Sequence, residues 1–355
     1  MRILFFVQSL EGGGAERVIC NLSDYLVERN HNVTVMTLYD HGIAYKLNNK
    51  ITVVCANFAP QIYKTKIQSW WQLIKTIKGS DVCVSFLSTP ILLTLLLRPF
   101  LKTKLICTER NYPPSRYGER LQHRLKKWAK RADAWVFQTN QQRYWYGESV
   151  ADSKAHVIPN AINSEFLREK SETSKDNIIV TVGSLQEKKN HKLLIEAFAT
   201  LANKYPDYKL VIYGDGELRE SLTELIRKLN IEDKVELPGF VDNINTRISK
   251  ASLFVLSSNV EGIPNALIEA MALGLPCVST RCAGGGAEFL IDDGVNGLLV
   301  PVNDVEALAG AMKRVLSDKE FANKLGNNAF KLRETLAPEV IYEKWLNVIE
   351  SVIKK

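Results

Sequence analysis

Short apolar runs alternate with amphipathic stretches along the chain. The first series of runs is RILFFV, VTVMTL, DVCVSF, KLIC and AWVFQT, and the second is NIIVTVG, YKLVIYG, KVELPG, SLFVLSS and PCVST. Segments with helical apolar periodicity, such as 191–204 and 218–230, lie between the runs. Buried strands that alternate with helices are typical of parallel sheets covered by helices. The pattern therefore predicts an α/β fold with two doubly wound units in tandem.

A polar segment separates the two series of runs. Residues 164–177, SEFLREKSETSKDN, are rich in charge and have no apolar periodicity, which is typical of an exposed interdomain connection. A chain of 355 residues also exceeds the roughly 100 to 200 residues of one typical domain. We therefore predict an N-terminal domain over 1–170 and a C-terminal domain over 171–337.

The last segment, 338–355, has its own apolar stripe at helical spacing. A helix with such a stripe must pack on another surface. The first domain is one candidate for that surface. The stripe consists of Ile341, Trp345, Val348, Ile349 and Val352.

The composition favours a globular protein in a reducing compartment. Hydrophobic residues make up 46% of the chain and charged residues 24%, which leaves little room for extended disorder. The six cysteines form no CxxC pair, so we expect buried free thiols and no zinc site. The longest uncharged stretch, 82–97, contains serine, threonine and proline and is shorter than the ~20 residues of a spanning helix. We therefore expect a cytoplasmic protein.

Two glutamates flank the start of a predicted helix in the run VEGIPNALIEAMALGLP. Pro264 and Gly274 favour the start and the end of that helix. Glu261 and Gly262 therefore precede the helix, and Glu269 lies within it. The first N–H groups of a helix are suited to an anionic diphosphate. Here these groups belong to Asn265, Ala266 and Leu267.

The two carboxylates suit a ligand rich in hydroxyl groups. A buried carboxylate can accept two hydroxyl hydrogens in charge-assisted bonds. Glu269 is therefore a candidate for a ribose diol, and Glu261 for hydroxyls of a transferred sugar. The residues alone equally allow Glu261 to be an exposed loop residue and Glu269 a solvated helix residue, because carboxylates are common near helix starts.

Glycine-rich turns follow two of the predicted strands. Residues 12–14, GGG, would let a backbone without side chains approach phosphate groups, although a tight strand-to-helix turn has the same composition. The run GDGE at 214–217 lacks the full G-x-G-x-x-G fingerprint of dinucleotide binding. We therefore expect no cofactor.

The spacing of Glu261 and Glu269 resembles the E-x7-E motif of the retaining glycosyltransferases of family 4. These enzymes have the GT-B fold, in which two Rossmann-like domains face a cleft. The resemblance implies transfer of a hexose or N-acetylhexosamine from a nucleotide sugar, and it favours UDP as the nucleotide. Many such enzymes build capsular, O-antigen or other glycan precursors. The resemblance covers nearly the whole chain through GGGAER, VIPNAIN, VGSLQEKKNHKLLIEAF, YGDGELRESL, GFVDN, EGIPNALIEAMALGLPCVST and DGVNGLLVPVND.

The resemblance also implies roles for individual residues. Glu261 and Lys189 would be catalytic, with Lys189 offsetting charge on the leaving nucleoside diphosphate. Ser184 stands where the family usually has arginine, which removes a bidentate phosphate clamp. The sequence contains no Asp-x-Asp motif, so we expect metal-independent transfer and no metal site. The other implied donor contacts are Gly13, Gly14, Gly214, Val241, Gly262, Asn265, Ala266, Leu267 and Glu269.

A second candidate site follows a strand of the first domain. The segment TERNYP, 108–113, lies at the carboxyl edge of the predicted sheet, where ligands of such folds bind. Glu109 is a candidate catalytic residue toward an acceptor hydroxyl, and Arg110 is a candidate contact for an acceptor phosphate. A mutual surface ion pair between them is the alternative.

Basic residues concentrate near this second site. Such faces attract anionic lipid head groups, although a solvated helix face over an ordinary core gives the same pattern. Given the net charge of +7, we expect peripheral binding to the anionic inner face of the plasma membrane and a saccharide or lipid-linked saccharide acceptor. One helical face carries Arg120, Arg124, Lys127 and Arg131, and the stretch 63–78 joins four lysines with Ile67, Trp70, Trp71, Ile74 and Ile77.

Two other functions fit parts of the pattern. A sugar-nucleotide epimerase of similar two-domain fold would bind the same donor and transfer nothing, and it is the alternative to a transferase. A basic helix can also track nucleic-acid phosphates, but the sequence contains no recognisable nucleic-acid module. We therefore expect no nucleic-acid partner.

Overall fold

Two parallel sheets organise the chain. The computed structural model describes residues 1–167 and 176–354. The chain divides into two compact units, of which unit 1 contains Met1–Ala161 and Glu339–Lys355 and unit 2 contains Ile162–Pro338. The predicted boundary at residue 170 lies outside the described residues, as does Lys355.

Seven parallel strands form the sheet of unit 1 in the order β3-β2-β1-β4-β5-β6-β7. The apolar side chains of β1 are buried in succession, as expected for a strand covered on both faces. The order reverses between β1 and β4, so the carboxyl ends of these strands flank a crevice. The strands are β1 Arg2–Val7, β2 Asn32–Thr37, β3 Thr52–Cys55, β4 Val82–Phe86, β5 Lys104–Glu109, β6 Ala134–Phe137 and β7 Ala155–Val157.

Helices connect these strands and cover the sheet. The uncharged stretch 82–97 forms β4 and then a helix, as predicted. The helices of this part of the chain are α1 Gly14–Glu28, α2 Ile67–Lys78, α3 Ser88–Leu97, α4 Pro113–Arg116, α5 Glu119–Trp128 and α6 Asn140–Tyr146.

Unit 2 contains a six-stranded parallel sheet in the order β10-β9-β8-β11-β12-β13. Here the order reverses between β8 and β11, which places a second crevice at their carboxyl ends. The strands are β8 Asp176–Val182, β9 Lys209–Tyr213, β10 Val235–Gly239, β11 Ala251–Leu256, β12 Cys277–Thr280 and β13 Leu298–Val300. The helices are α7 His191–Ala202, α8 Arg219–Lys228, α9 Ile244–Ile248, α10 Asn265–Ala272, α11 Gly286–Leu290, α12 Val305–Ser317, α13 Lys319–Phe330 and α14 Leu332–Thr335.

The prediction of two doubly wound α/β units is confirmed, and every predicted strand forms. The apolar pattern missed β3, β7 and β13, which are edge strands. These strands have three or four residues and several partly exposed side chains. A strand of three or four residues is too short to show an alternating period, so the pattern does not separate it from a loop.

The last helix, α15 Pro338–Lys354, packs within unit 1. Its apolar stripe is buried, and the ring of Trp345 stacks on Phe86 of β4 with centroids 5.9 Å apart. Glu343 accepts a hydrogen bond from the hydroxyl of Tyr25 at 2.8 Å. Residues from both ends of the sequence therefore build one core.

No helix within residues 1–167 and 176–354 combines the length and apolar character needed to cross a membrane. All six cysteines are free thiols, and all are buried except Cys55, which is half-buried.

Candidate functional site

Lys189 and Glu261 meet at the crevice of unit 2. Lys189 ends a 3₁₀ turn after β8, and Glu261 lies in the loop after β11. The Nζ of Lys189 donates to Oε1 of Glu261 at 2.5 Å, and the two side chains are 17% and 13% exposed. The structure thus brings together the two residues that were predicted to be catalytic in this domain.

The turn that carries Lys189 is fixed to the loop after β11. Asn190 adopts a left-handed conformation with φ 47°, which asparagine tolerates better than most residues. Its side chain accepts the N–H of Leu193, which caps α7, and donates to Oδ1 of Asn259 at 3.0 Å. The N–H of Asn259 in turn donates to the carbonyl of Lys188 at 2.9 Å. These contacts hold the two catalytic candidates at a defined separation.

Helix α10 begins next to this ion pair. Glu269 is only 7% exposed, so the alternative of a solvated helix residue is wrong. The N–H of Leu267 was predicted to contact a phosphate. In the structure it donates to the carbonyl of Pro264 at 3.1 Å, so this group already has a partner in the first turn of the helix. The N–H groups of Asn265 and Ala266 precede it in the first turn.

Close backbone contacts explain several glycines around the crevice. A Cβ on Gly286 would lie 1.6 Å from the carbonyl oxygen of Gly262, and one on Gly214 would lie 2.1 Å from that of Gly183. These loops can approach one another only because the glycines have no side chains.

Val241, another predicted donor contact, lies after β10 and lines an open cavity of about 740 Å³. The other lining residues are Asp242, Asn243, Thr246 and Arg247.

Ser184, at the position of the usual arginine, makes local contacts. Its Oγ bonds to Oε1 of Gln186 at 3.3 Å, and its carbonyl is 3.2 Å from Nε2 of His191. Burial lowers the pKa of His191 to about 4. An uncharged, buried imidazole therefore supports the backbone at the end of β8.

In unit 1, the glycine loop after β1 is bound by a tyrosine that sequence reasoning missed. The hydroxyl of Tyr45 accepts the N–H of Gly13 at 3.1 Å and donates to the carbonyl of Gly13 at 2.9 Å. Gly13 precedes α1, whose first residue is Gly14. Tyr45 lies 32 residues further along the chain, and no local motif links it to the loop.

Glu109 and Arg110, at the carboxyl end of β5, are both buried, so the alternative of a surface ion pair is wrong. Oε1 of Glu109 accepts the N–H groups of Arg110 and Asn111 and the hydroxyl of Tyr117 at 2.9 to 3.1 Å. Oε2 lies 3.4 Å from the hydroxyl of Tyr146. Burial raises the pKa of Glu109 to about 7, although these hydrogen bonds oppose the shift.

The guanidinium of Arg110 is incompletely paired. Its Nη2 donates to Oδ1 of Asn160, whereas Nε and Nη1 have no hydrogen-bond partner among the described residues. Burial lowers the pKa of this group because charge is costly away from water. Two buried donors without acceptors indicate a place where an acceptor from a ligand would be favourable.

The two predicted basic faces differ from expectation in detail. Arg120, Arg124 and Lys127 are exposed on α5, but Arg131 lies in a 3₁₀ turn after that helix, where its Nη1 donates to the carbonyl of Leu95. In α2 the predicted anchors Trp70, Ile74 and Ile77 instead pack into the unit 1 core. Within the predicted stretch 63–78, Tyr63, which precedes α2, and Ile67 and Trp71 of α2 are the exposed apolar side chains, at 83%, 80% and 64%.

Comparison with known proteins gives a consistent result along the chain. Residues 12–166 match the family model described as Glycosyltransferase Family 4, and residues 163–332 match the one described as Glycosyl transferases group 1. A Campylobacter jejuni α-1,4-N-acetyl-D-galactosaminyltransferase, named for its action on a GalNAc- and diNAcBac-containing PP-undecaprenol, is 31% identical over 99% of both chains. A second C. jejuni protein, a 4-α-N-acetylgalactosaminyltransferase named for a diphospho-undecaprenol-linked saccharide, is 30% identical over 91% of this chain and 92% of that protein.

Solved structures show the same architecture. Anabaena HepE, determined in complex with UDP, superposes with a TM-score of 0.86 at 19% identity, over 99% of this chain and 100% of that chain. Together with the two doubly wound sheets, this likeness confirms the predicted GT-B fold.

Proposed function

Because the chain belongs to glycosyltransferase family 4, we propose that it moves a hexose or N-acetylhexosamine from a UDP-sugar to a lipid-linked saccharide. The transfer would retain the anomeric configuration of the sugar. It would serve the synthesis of cell-surface polysaccharide or glycan precursors. The Lys189–Glu261 pair at the crevice of unit 2 is the observation that carries the proposal. The names of the two Campylobacter relatives and the UDP complex of HepE support the choice of acceptor and donor.

Unit 2 would bind the diphosphate of the donor through a cation and N–H groups, and the hydroxyls of the donor through carboxylates. Lys189 offsets the negative charge that develops on the leaving diphosphate, and the first N–H groups of α10 add to this field. Glu269 accepts the ribose hydroxyls from its buried position. Glu261 accepts hydroxyls of the transferred sugar. None of these contributions requires a metal ion.

The proposed transfer keeps the configuration of the anomeric carbon. The bond between this carbon and the diphosphate oxygen breaks, and the acceptor oxygen bonds to the carbon on the same face. The acceptor proton passes to a phosphate oxygen of the leaving group. Lys189 stabilises the charge in this step because its ammonium is fixed in a partly desolvated position.

The donor part of the proposal is tested with a panel of nucleotide sugars. A true donor raises the melting temperature because it binds the folded state alone. With that donor and an undecaprenyl-diphosphate-linked saccharide, we expect a new glycosidic product. Glu261→Gln should reduce turnover at least about 100-fold while UDP still binds. Near-normal turnover would remove Glu261 from the mechanism, and an isomerised nucleotide sugar formed without acceptor would identify an epimerase.

Arg110 would bind a phosphate of the acceptor. Two of its nitrogens lack partners in the described residues, and a phosphate oxygen would satisfy them with charge-assisted bonds. We expect Arg110→Lys to raise the KM for a diphosphate-linked acceptor by about tenfold, because lysine lacks the planar fork of arginine. The same KM with wild-type enzyme and variant would contradict this role. Glu109 accepts the backbone N–H of Arg110 and would orient that residue. Alternatively, Glu109 would act on an acceptor hydroxyl.

Unit 1 would also contact the anionic inner face of the plasma membrane. Tyr63, Ile67 and Trp71 expose apolar surface beside lysines of the same segment, a combination typical of interfacial binding. Phosphatidylglycerol vesicles should float with the wild-type protein, and the double variant Ile67→Ala, Trp71→Ala should bind less. Phe289→Ala, which removes an exposed aromatic ring from unit 2, is the control. Equal binding to neutral vesicles would contradict the electrostatic contribution.

A further inference from the structure

Two consecutive serines after β11 each hold one member of the central ion pair. Ser257 and Ser258 are 1% and 0% exposed. The Oγ of Ser257 donates to the carbonyl of Lys189 at 3.1 Å. The Oγ of Ser258 donates to Oε1 of Glu261 at 2.8 Å. One side chain thus fixes the backbone of the lysine, and the next fixes the carboxylate of the glutamate.

The hydrogen bonds to Glu261 are unequally divided between its two oxygens. Lys189 and Ser258 both donate to Oε1. In the described ranges, no hydrogen bond to Oε2 accompanies them. Two donors on one oxygen fix the rotation of the carboxylate, and the Glu261 side chain keeps 13% of its surface exposed. Oε2 is therefore the carboxylate oxygen that these two donors leave for a ligand hydroxyl.

Ser258 is itself held by the neighbouring strand. Its carbonyl accepts the hydroxyl of Thr280, at the end of β12, at 2.5 Å. Thr280 is fully buried. This contact fixes the backbone of Ser258, and the position of its side-chain hydroxyl is defined accordingly.

We propose that Ser258 is a positioning residue that anchors Oε1 of Glu261, so that Oε2 accepts a hydroxyl of the transferred sugar. This inference rests on the proposed donor site. When a diphosphate binds, it attracts the ammonium of Lys189 and weakens the hold of that group on the carboxylate. The neutral hydroxyl of Ser258 experiences no such pull. Its contribution to the orientation of Glu261 is therefore greatest in the donor complex.

A matched pair of variants isolates the hydroxyl of Ser258. Threonine and valine have nearly the same shape, and only threonine keeps the hydrogen bond. We expect Ser258→Val to lower kcat by about 10- to 100-fold, the value of a hydrogen bond to a charged group, while Ser258→Thr recovers most of that loss. The Kd for UDP should stay the same in both, because UDP lacks the sugar. Equal kcat for both variants, or a parallel loss of UDP binding, would overturn the inference.

Two controls separate positioning from general packing. Ser279→Val alters a fully buried serine of β12 whose hydroxyl donates to the backbone of Thr280, and kcat should not change. Ser258→Ala replaces the valine variant if the larger side chain prevents folding, and the same loss of kcat is expected.

A double-mutant cycle tests whether Ser258 acts through Glu261. In a Glu261→Gln background, Ser258→Val should reduce the residual kcat by less than about twofold, because coupled residues are not additive. The same fold-loss in both backgrounds would refute the inference. Failure of the donor site would look different, since Glu261→Gln alone would then keep normal turnover.

Discussion

The ammonium of Lys189 and the carboxylate of Glu261 form a 2.5 Å ion pair across 72 residues of sequence. The pair joins the loops after β8 and β11, the two adjacent strands between which the strand order of unit 2 reverses. Both groups are more than four-fifths covered. We expect a structural effect and, under the proposed function, a catalytic effect of this pair, and substitutions can separate the two.

Neutralising one member of the pair should destabilise the fold more than neutralising both. Lys189→Met leaves Glu261 partly buried without its cation, at a cost of about 1 to 3 kcal/mol, below the value for fully buried pairs because some exposure remains. The double variant Lys189→Met, Glu261→Gln should recover most of that stability in urea unfolding. Its turnover should nevertheless stay at least about 100-fold below wild type. Normal turnover in the double variant would show that the pair is purely structural.

Glu109 should make the protein less stable as the pH rises. Its pKa is about 7 in the folded protein and 4.5 ordinarily, so the folded state binds this proton more tightly than the unfolded chain. Its contribution is full below pH 4.5 and is lost as the pH rises to about 7. The expected loss is roughly 3 kcal/mol. Unfolding free energies measured from pH 5 to 8 should show a flatter profile for Glu109→Gln. Glu119→Gln, an exposed control, should keep the wild-type slope.

The buried guanidinium of Arg110 should lower the stability of the fold, because two of its nitrogens are unpaired among the described residues. Arg110→Met removes a buried guanidinium with two unpaired nitrogens, so we expect unchanged or higher stability, by up to about 1 kcal/mol. Arg98 is the matched control, because its guanidinium bonds both oxygens of Asp133 at 3.0 to 3.1 Å and also donates to backbone carbonyls. Arg98→Met should cost about 2 to 4 kcal/mol. Similar losses for both variants in denaturant titrations would contradict the difference in pairing.

Two glycines of unit 2 should respond to alanine in opposite directions. Gly286→Ala places a Cβ 1.6 Å from the carbonyl oxygen of Gly262, so the loops must separate and stability should fall by several kcal/mol. Gly310 lies within α12 and a Cβ there meets no atom within 4 Å. Gly310→Ala should raise stability by about 0.5 to 1 kcal/mol. Calorimetry of both variants checks the signs.

Trp345 should be essential to the core of unit 1. The side chain is fully buried and stacks on Phe86, so Trp345→Ala should cost about 3 to 5 kcal/mol. Val340→Ala on the same helix removes a side chain that is 38% exposed and should change stability by less than about 0.5 kcal/mol. Equal effects of the two changes would show that α15 contributes little to this core.

The sequence pattern predicts the buried central strands better than the edge strands and the orientation of the covering helices. Central strands such as β1 and β4 are buried on both faces and therefore appear as continuous apolar runs. In α2 the amphipathic pattern marks a helix, but it does not show that Trp70 faces the core while Trp71 faces solvent. Neighbouring residues on a helix differ by about 100° in direction, so a one-residue error exchanges core and surface.

The residues of the proposed donor site are predicted through their resemblance to a motif, whereas the residues that support them are not. Glu261 and Lys189 stand in recognisable runs. Tyr45 and Thr280 act on residues distant in sequence, so their roles depend on strand order. Burial of Glu109 was also hidden, because a Glu-Arg dipeptide after a strand has the composition of a surface turn. Its surroundings come from Tyr117 and Tyr146, in separate segments.

The placement of α15 has a consequence for how this protein is made. Residues 1–161 of unit 1 are translated before unit 2, yet unit 1 takes its last helix from 339–354, which follow all of unit 2 in the chain. At ribosomal rates of about 5 to 20 residues per second, the 177 residues of Ile162–Pro338 (338 − 161) delay that helix by roughly 10 to 35 s. During this interval the surface that receives Trp345 is uncovered. Unit 1 can therefore complete its core only after α15 has left the ribosome.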